Sequence, residues 1–130
     1  MKNSQKKIRD RQLAIIGLGY VGLPLAVAFN HITNVIGFDI DRARINALND
    51  GCDHTNELTP DELSQLSTLT LTSVVDDLKR ADIYIVTVPT PIKDDKTPDL
   101  DPLSSATKMV GSILSPGDIV IYESTVFPGC

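Results

Sequence analysis

Short apolar runs alternate with amphipathic stretches along most of the chain. Leu13-Ala14-Ile15-Ile16, Val35-Ile36-Gly37-Phe38 and Ile83-Tyr84-Ile85-Val86-Thr87-Val88 are nearly unbroken apolar runs, the pattern of strands buried on both faces. The pattern predicts strands over 12–16, 35–39, 69–72, 83–88 and 119–122. Between them it predicts helices over 21–30, 41–49, 60–66 and 75–80, and a long one from Pro102. Thr59 reads as an N-cap with Pro60 at the first helical position. Asp101 reads as the cap of the long helix, on which Leu103, Ala106, Val110, Ile113 and Leu114 keep helical spacing. Strands that alternate with helices imply an α/β fold: a doubly wound parallel sheet with helices on both faces, in the strand order 3-2-1-4-5.

The turn after the first strand carries the chemistry. Gly17-Leu18-Gly19-Tyr20-Val21-Gly22 matches G-x-G-x-x-G between a strand and a helix. Gly17 permits the tight turn, Gly19 lets a pyrophosphate approach the backbone, and Gly22 lets the helix pack close to the sheet. The helix N-terminus offers N–H groups and a partial positive charge to phosphates. Asp39 ends the second strand at the spacing of an acid that accepts the adenosine ribose hydroxyls. The residues alone leave Asp39 open between that role and capping the next helix. They leave Arg44 open between a solvated helix arginine and a cofactor contact.

Composition narrows the class. The 130 residues suffice for one domain, and 42% are apolar, as in ordinary globular proteins. A net charge of −5 argues against nucleic acid or an anionic membrane as partner. No apolar run approaches a membrane span, and no secretory leader is read in the basic start Met1–Lys7. Cys52 and Cys130 lie far apart outside any metal or disulfide pattern, which suits a reducing cytoplasm. His31 and His54 fall in predicted loops without a partnering cluster. Residues 1–10 read as a flexible basic tail and 11–130 as the dinucleotide-binding domain. The last strand runs into an unfinished βα loop, Glu123–Cys130, which reads as part of a longer enzyme.

Four segments together, GLGYVGLPLA, FDID, VTVPTP and YESTVFPGC, resemble the UDP-glucose/GDP-mannose dehydrogenase family. IYIVTVPTPI followed by PDLDPL resembles the branch acting on UDP-N-acetylglucosamine or UDP-N-acetylgalactosamine in bacterial surface-polysaccharide synthesis. The resemblance implies a Rossmann-like domain that binds NAD for oxidation of a sugar C6 hydroxyl to a carboxylate. It implies cofactor contacts from Gly17, Leu18, Gly19, Tyr20, Val21 and Gly22, with Leu18, Tyr20 and Val21 as backbone donors. It adds Asp39 and Arg44 at the adenosine ribose, then Val88, Pro89 and Thr90 after the fourth strand. Pro89 stands where many members have asparagine. Ser124 and Thr125 follow the fifth strand, and Thr125 is the one candidate catalytic residue, positioning water or substrate near the nicotinamide. A turn residue at Thr90 and a strand-end threonine at Thr125 are the structural alternatives. Family members complete catalysis with later residues, including a nucleophilic cysteine in a motif other than that of Cys130. The chain alone is therefore expected to be inactive, and the whole enzyme to be a cytoplasmic homo-oligomer using a UDP-sugar. Other readings left open are a β-hydroxyacid dehydrogenase and a non-catalytic NAD-sensing module.

Overall fold

The computed structural model describes residues 7–130. Most of the expected tail lies outside the described residues, and a short 3-10 turn, Ile8–Asp10, leads into the first strand. Five strands, β1 (Gln12–Ile16), β2 (Asn34–Phe38), β3 (Thr70–Thr72), β4 (Ile83–Val86) and β5 (Ile119–Tyr122), form one parallel sheet. Its order is β3-β2-β1-β4-β5, as the alternation of elements predicts.

The pleat sends alternate residues of each strand into two separate cores. Leu13, Ile15, Val35, Ile83 and Ile85 face α1 (Gly22–Asn30) and α2 (Arg42–Asn49), which contribute Leu23, Ala26, Ile45 and Leu48. Ala14, Ile16, Ile36, Phe38, Tyr84 and Val86 face the opposite side, where α4 (Asp101–Ile113) supplies Ala106 and Val110. Burying an aliphatic side chain contributes about 1.5–3 kcal/mol, so β1 and β4, buried on both faces, anchor the sheet. Tyr84 is fully buried, and its hydroxyl donates to the Leu78 and Ala81 carbonyls. Burial pushes that phenol above its ordinary pKa.

Several boundaries differ from expectation for local reasons. β4 stops at Val86 because the Thr87 hydroxyl turns onto the Ile16 and Gly17 carbonyls and Pro89 then supplies no N–H. Asp101 is not the cap of α4. Leu100 holds the N-cap position, Asp101 is the first helical residue, and its N–H is taken by Asp99 Oδ1 at 3.0 Å. Leu114 lies past the end of α4 and is exposed rather than facing the core. α3 (Pro60–Ser64) is shorter than expected and continues as a 3-10 turn, Gln65–Thr68; 75–80 is likewise 3-10 rather than α-helical. The Thr59 cap is present as a capping box with Glu62, and the hydrogen bonds from Thr59 hold the Glu62 carboxyl below its ordinary pKa.

Candidate functional site

The carboxyl ends of β1, β2 and β4 open onto a cleft of about 720 Å³. Gly17, Leu18 and Gly19 form one wall, Asp39 and Arg44 a second, and Val88 and Pro89 a third. Phe38, Ala106 and Met109 line its apolar part.

The three motif glycines play three different parts. Gly17 has φ +100°, its N–H donates to the Phe38 carbonyl at 2.8 Å, and a Cβ there would press on the Val88 backbone at 3.1 Å. Gly22 sits so close to the preceding turn that a Cβ would lie 1.7 Å from the Gly17 carbonyl oxygen and 2.4 Å from Thr87 Oγ1. A Cβ at Gly19 would meet nothing within 4 Å, and φ there is not positive, so Gly19 leaves open space rather than serving a strained turn. The Gly19 carbonyl accepts from Leu23 N–H at 3.2 Å, which seats the first turn of α1. The N–H groups of Tyr20 and Val21 have no acceptor among the described residues, as expected at a helix start.

Leu18 is held from both sides. Its N–H donates to Asp39 Oδ2 at 2.9 Å, so it is not the free phosphate donor that the resemblance implied. Its carbonyl accepts from Arg44 Nε at 2.9 Å and Nη2 at 2.8 Å. Asp39 Oδ1 accepts from Asp41 N–H at 2.9 Å, which fixes the carboxylate at the end of β2. Asp39 is not the helix cap. Asp41 is, accepting from the Ala43 and Arg44 N–H groups.

Arg44 is not a solvated arginine, since only 10% of its side chain is exposed. Its Nη1 lies 2.9 Å from Asp53 Oδ1, near enough for strong attraction although its N–H bonds point off the oxygen. Asp53, buried in the loop after α2, also accepts from Thr55 N–H, Thr55 Oγ1, Glu57 N–H and Leu58 N–H. Burial alone would raise the Asp53 pKa. The hydrogen bonds from Thr55 and Glu57 and the adjacent Arg44 guanidinium outweigh it and hold the carboxyl at about 2, against an ordinary 3.8. Asp53 lies in the same predicted loop as His54 and carries no expected role in the sequence. Its signal was Asp53-x-Thr55, the spacing of an aspartate that folds its own loop. Thr87 likewise carries no expected role; it is a lone hydroxyl within an apolar run that ties β4 to Gly17 at 2.7 Å.

The remaining predicted residues form a second group beside the cleft. Ser124 Oγ donates to the Val88 carbonyl at 2.7 Å, and Thr90 Oγ1 donates to the Thr125 carbonyl at 2.7 Å. Thr90 is thus a cross-link between the loops after β4 and β5 rather than a passive turn residue. Thr125 itself is exposed. Tyr20, Val21, Gly22, Thr90, Ser124 and Thr125 do not line the cleft. The arrangement suits an elongated anionic ligand: unpaired N–H groups and open space at the α1 N-terminus, and an oriented carboxylate for a diol beyond.

Comparison with known proteins agrees with this geometry. The profile described as "UDP-glucose/GDP-mannose dehydrogenase family, NAD binding domain" matches residues 11–130. UDP-N-acetyl-D-glucosamine 6-dehydrogenase of Pseudomonas aeruginosa is 51% identical over 122 residues, covering 94% of this chain and 29% of that protein. Protein CapL of Staphylococcus aureus is 49% identical over 120 residues, covering 92% of this chain and 28% of that one. The solved UDP-D-ManNAc dehydrogenase of Pyrococcus horikoshii superposes with a TM-score of 0.78 at 36% identity, over 91% of this chain and 29% of that one. The chain thus spans under a third of the length of these relatives.

Proposed function

The chain belongs to the UDP-glucose/GDP-mannose dehydrogenase family, as its NAD-binding domain, and on that premise we propose that it holds NAD for a longer nucleotide-sugar 6-dehydrogenase. The substrate we assign is a UDP-N-acetylhexosamine, UDP-N-acetylglucosamine or UDP-N-acetylgalactosamine, oxidised at C6 to the uronic acid for surface polysaccharide. The name of the Pseudomonas relative supports that choice. We place the whole enzyme in the cytoplasm as a homo-oligomer. Two exposed free cysteines suit a reducing compartment, and no helix among the described residues is long and apolar enough to cross a membrane.

The observation that carries the reading is the pairing of open space at Gly19 with the fixed carboxylate of Asp39 across one cleft. In this reading the N–H groups of Tyr20 and Val21 face the pyrophosphate, and Asp39 accepts the ribose hydroxyls. Gly17 and Gly22 shape the turn. Leu18 and Arg44 hold the turn in register with Asp39. Val88, Pro89, Thr90 and Ser124 border the nicotinamide, and Thr125 positions water or substrate beside it. Bound NAD supplies the hydride acceptor; the chain's own contribution is placement.

Calorimetric titration of the chain with NAD tests this, together with a search for NADH formed from UDP-N-acetylglucosamine. Saturable binding without turnover is expected, because no positioned thiol nucleophile or hydroxyl base lies beside the cleft among the described residues. Absence of NAD binding overturns the cofactor reading, and NADH formation overturns the assignment of the chemistry to other residues.

A further inference from the structure

We propose that Asp53 sets the selectivity for NAD over NADP by committing Arg44, the cation beside Asp39, to the Leu18 carbonyl. The proposal rests on the NAD reading and concerns a residue outside the glycine motif and outside the cleft lining. The two cofactors differ by a phosphate on the adenosine ribose. A carboxylate at the end of β2 repels that phosphate, and an arginine nearby can accommodate it. Both kinds of group are present here on the cleft wall, as Asp39 and Arg44.

The hydrogen bonds decide between them. Asp39 cannot swing aside cheaply, because each of its oxygens accepts a backbone N–H, from Leu18 and from Asp41. Arg44 is spent. Nε and Nη2 fork onto the Leu18 carbonyl, Nη2 also reaches Thr55 Oγ1 at 3.3 Å, and Nη1 is buried against Asp53. Asp53 cancels the guanidinium charge and is itself fixed by the N–H groups of Thr55, Glu57 and Leu58. A phosphate approaching Asp39 therefore meets two fixed carboxylates, Asp39 and the helix cap Asp41, and no available cation on the same wall. Arg42, the other basic residue of α2, is exposed, where an ion pair gains little in water. Removing the Asp53 charge frees Arg44 while leaving the two backbone hydrogen bonds that fix Asp39 in place.

The test is calorimetric titration of wild-type chain and Asp53→Asn with NAD and with NADP. Wild type is expected to bind NAD well and NADP poorly. In Asp53→Asn, NAD should loosen a few-fold as the Leu18 clasp weakens, and the ratio of the NADP to the NAD Kd should fall by about tenfold, on the order of one charge-assisted hydrogen bond. Adding Arg44→Gln to Asp53→Asn should restore the wide ratio, because no cation then remains to be freed. If Asp53→Asn does not fold, Arg44→Lys serves: it keeps the positive charge but cannot fork to Leu18 and Asp53 together, so it should narrow the ratio whereas Arg44→Gln should not. Equal loss of both cofactors in Asp53→Asn overturns the proposal and leaves Asp53 a structural residue. A narrowed ratio that survives Arg44→Gln also overturns it. Wild-type chain that binds neither cofactor overturns the NAD reading and this inference with it.

Discussion

The two flanks of the cleft are held in place by different means. On the β1–β2 side, Leu18 is pinned through both its N–H and its carbonyl, by Asp39 and by Arg44, and Arg44 is in turn held by buried Asp53. On the β4–β5 side, two neutral hydroxyl bonds, from Ser124 and Thr90, join the loops. The strand behind those loops is exposed, with Ile119 at 44%, Ile121 at 38% and Tyr122 at 45% of full accessibility. A charged, buried network gives a rigid wall, because breaking any member leaves another uncompensated. Neutral bonds at a half-exposed edge give a wall that opens locally at small cost. The end of the cleft assigned to the adenosine is thus preformed, and the end assigned to the nicotinamide is adjustable.

The sharpest way to break the rigid side is within the glycine motif. Gly22→Ala would place a methyl 1.7 Å from the Gly17 carbonyl oxygen, a backbone atom that cannot rotate away. It should cost about 3 kcal/mol or more and lower Tm by roughly ten degrees or more. Gly19→Val, in open space, should leave Tm within about 2 °C of wild type while NAD binding falls below detection. Thermal melts with and without NAD check both. A stable Gly22→Ala variant would show that the α1 N-terminus is not seated on the turn. Unimpaired NAD binding by Gly19→Val would remove the close-approach role.

Acid probes the same side more gently. The Asp53 carboxyl is held at about 2 in the folded chain, against an ordinary 3.8. A lowered folded-state pKa adds stability above the unfolded value, and that stability is lost as pH falls toward the folded one. The contribution is about 2 kcal/mol, complete above about pH 5 and fading between roughly pH 4 and pH 2. Chemical denaturation across that range should show a steeper loss for wild type than for Asp53→Asn, which is already less stable at neutral pH. Parallel curves would mean that the ionised Asp53 carboxylate contributes nothing to folding.

How much of this was legible in the sequence follows the same divide between local and distant causes. The sheet order, the Thr59 cap and the glycine turn were readable because each depends on neighbouring residues or on apolar period. Asp39 was readable by its spacing from the motif. The clasp on Leu18 was not, because it joins residue 18 to residues 39, 44 and 53 through side chains whose directions no periodicity encodes. Arg44 therefore read as surface or ligand contact; it is not solvated, and it lines the cleft with its guanidinium already engaged. Asp101 failed for a smaller reason: Pro102 tolerates the second helical position as well as the first, so the cap could shift by one residue.

The adjustable side offers the smallest effects and the finest test of the comparison. Ser124→Ala removes a part-buried bond of 2.7 Å to the Val88 carbonyl and should cost about 1 kcal/mol. Thr90→Val removes the exposed bond to the Thr125 carbonyl with little change of shape and should cost about 0.5 kcal/mol. The two bonds span the same pair of loops, so the double variant should cost less than the sum, since the first loss already loosens the second contact. Amide hydrogen exchange separates local from global effects. Faster exchange is expected in 88–92 and 123–127, with Leu18 and Asp41 amides unchanged because their acceptor, Asp39, belongs to the other side. NAD affinity should fall only slightly, since the end assigned to the adenosine stays preformed. Loss of protection at Leu18 in the double variant would show that the two sides share one cooperative unit, and the division between a rigid and an adjustable wall would fail.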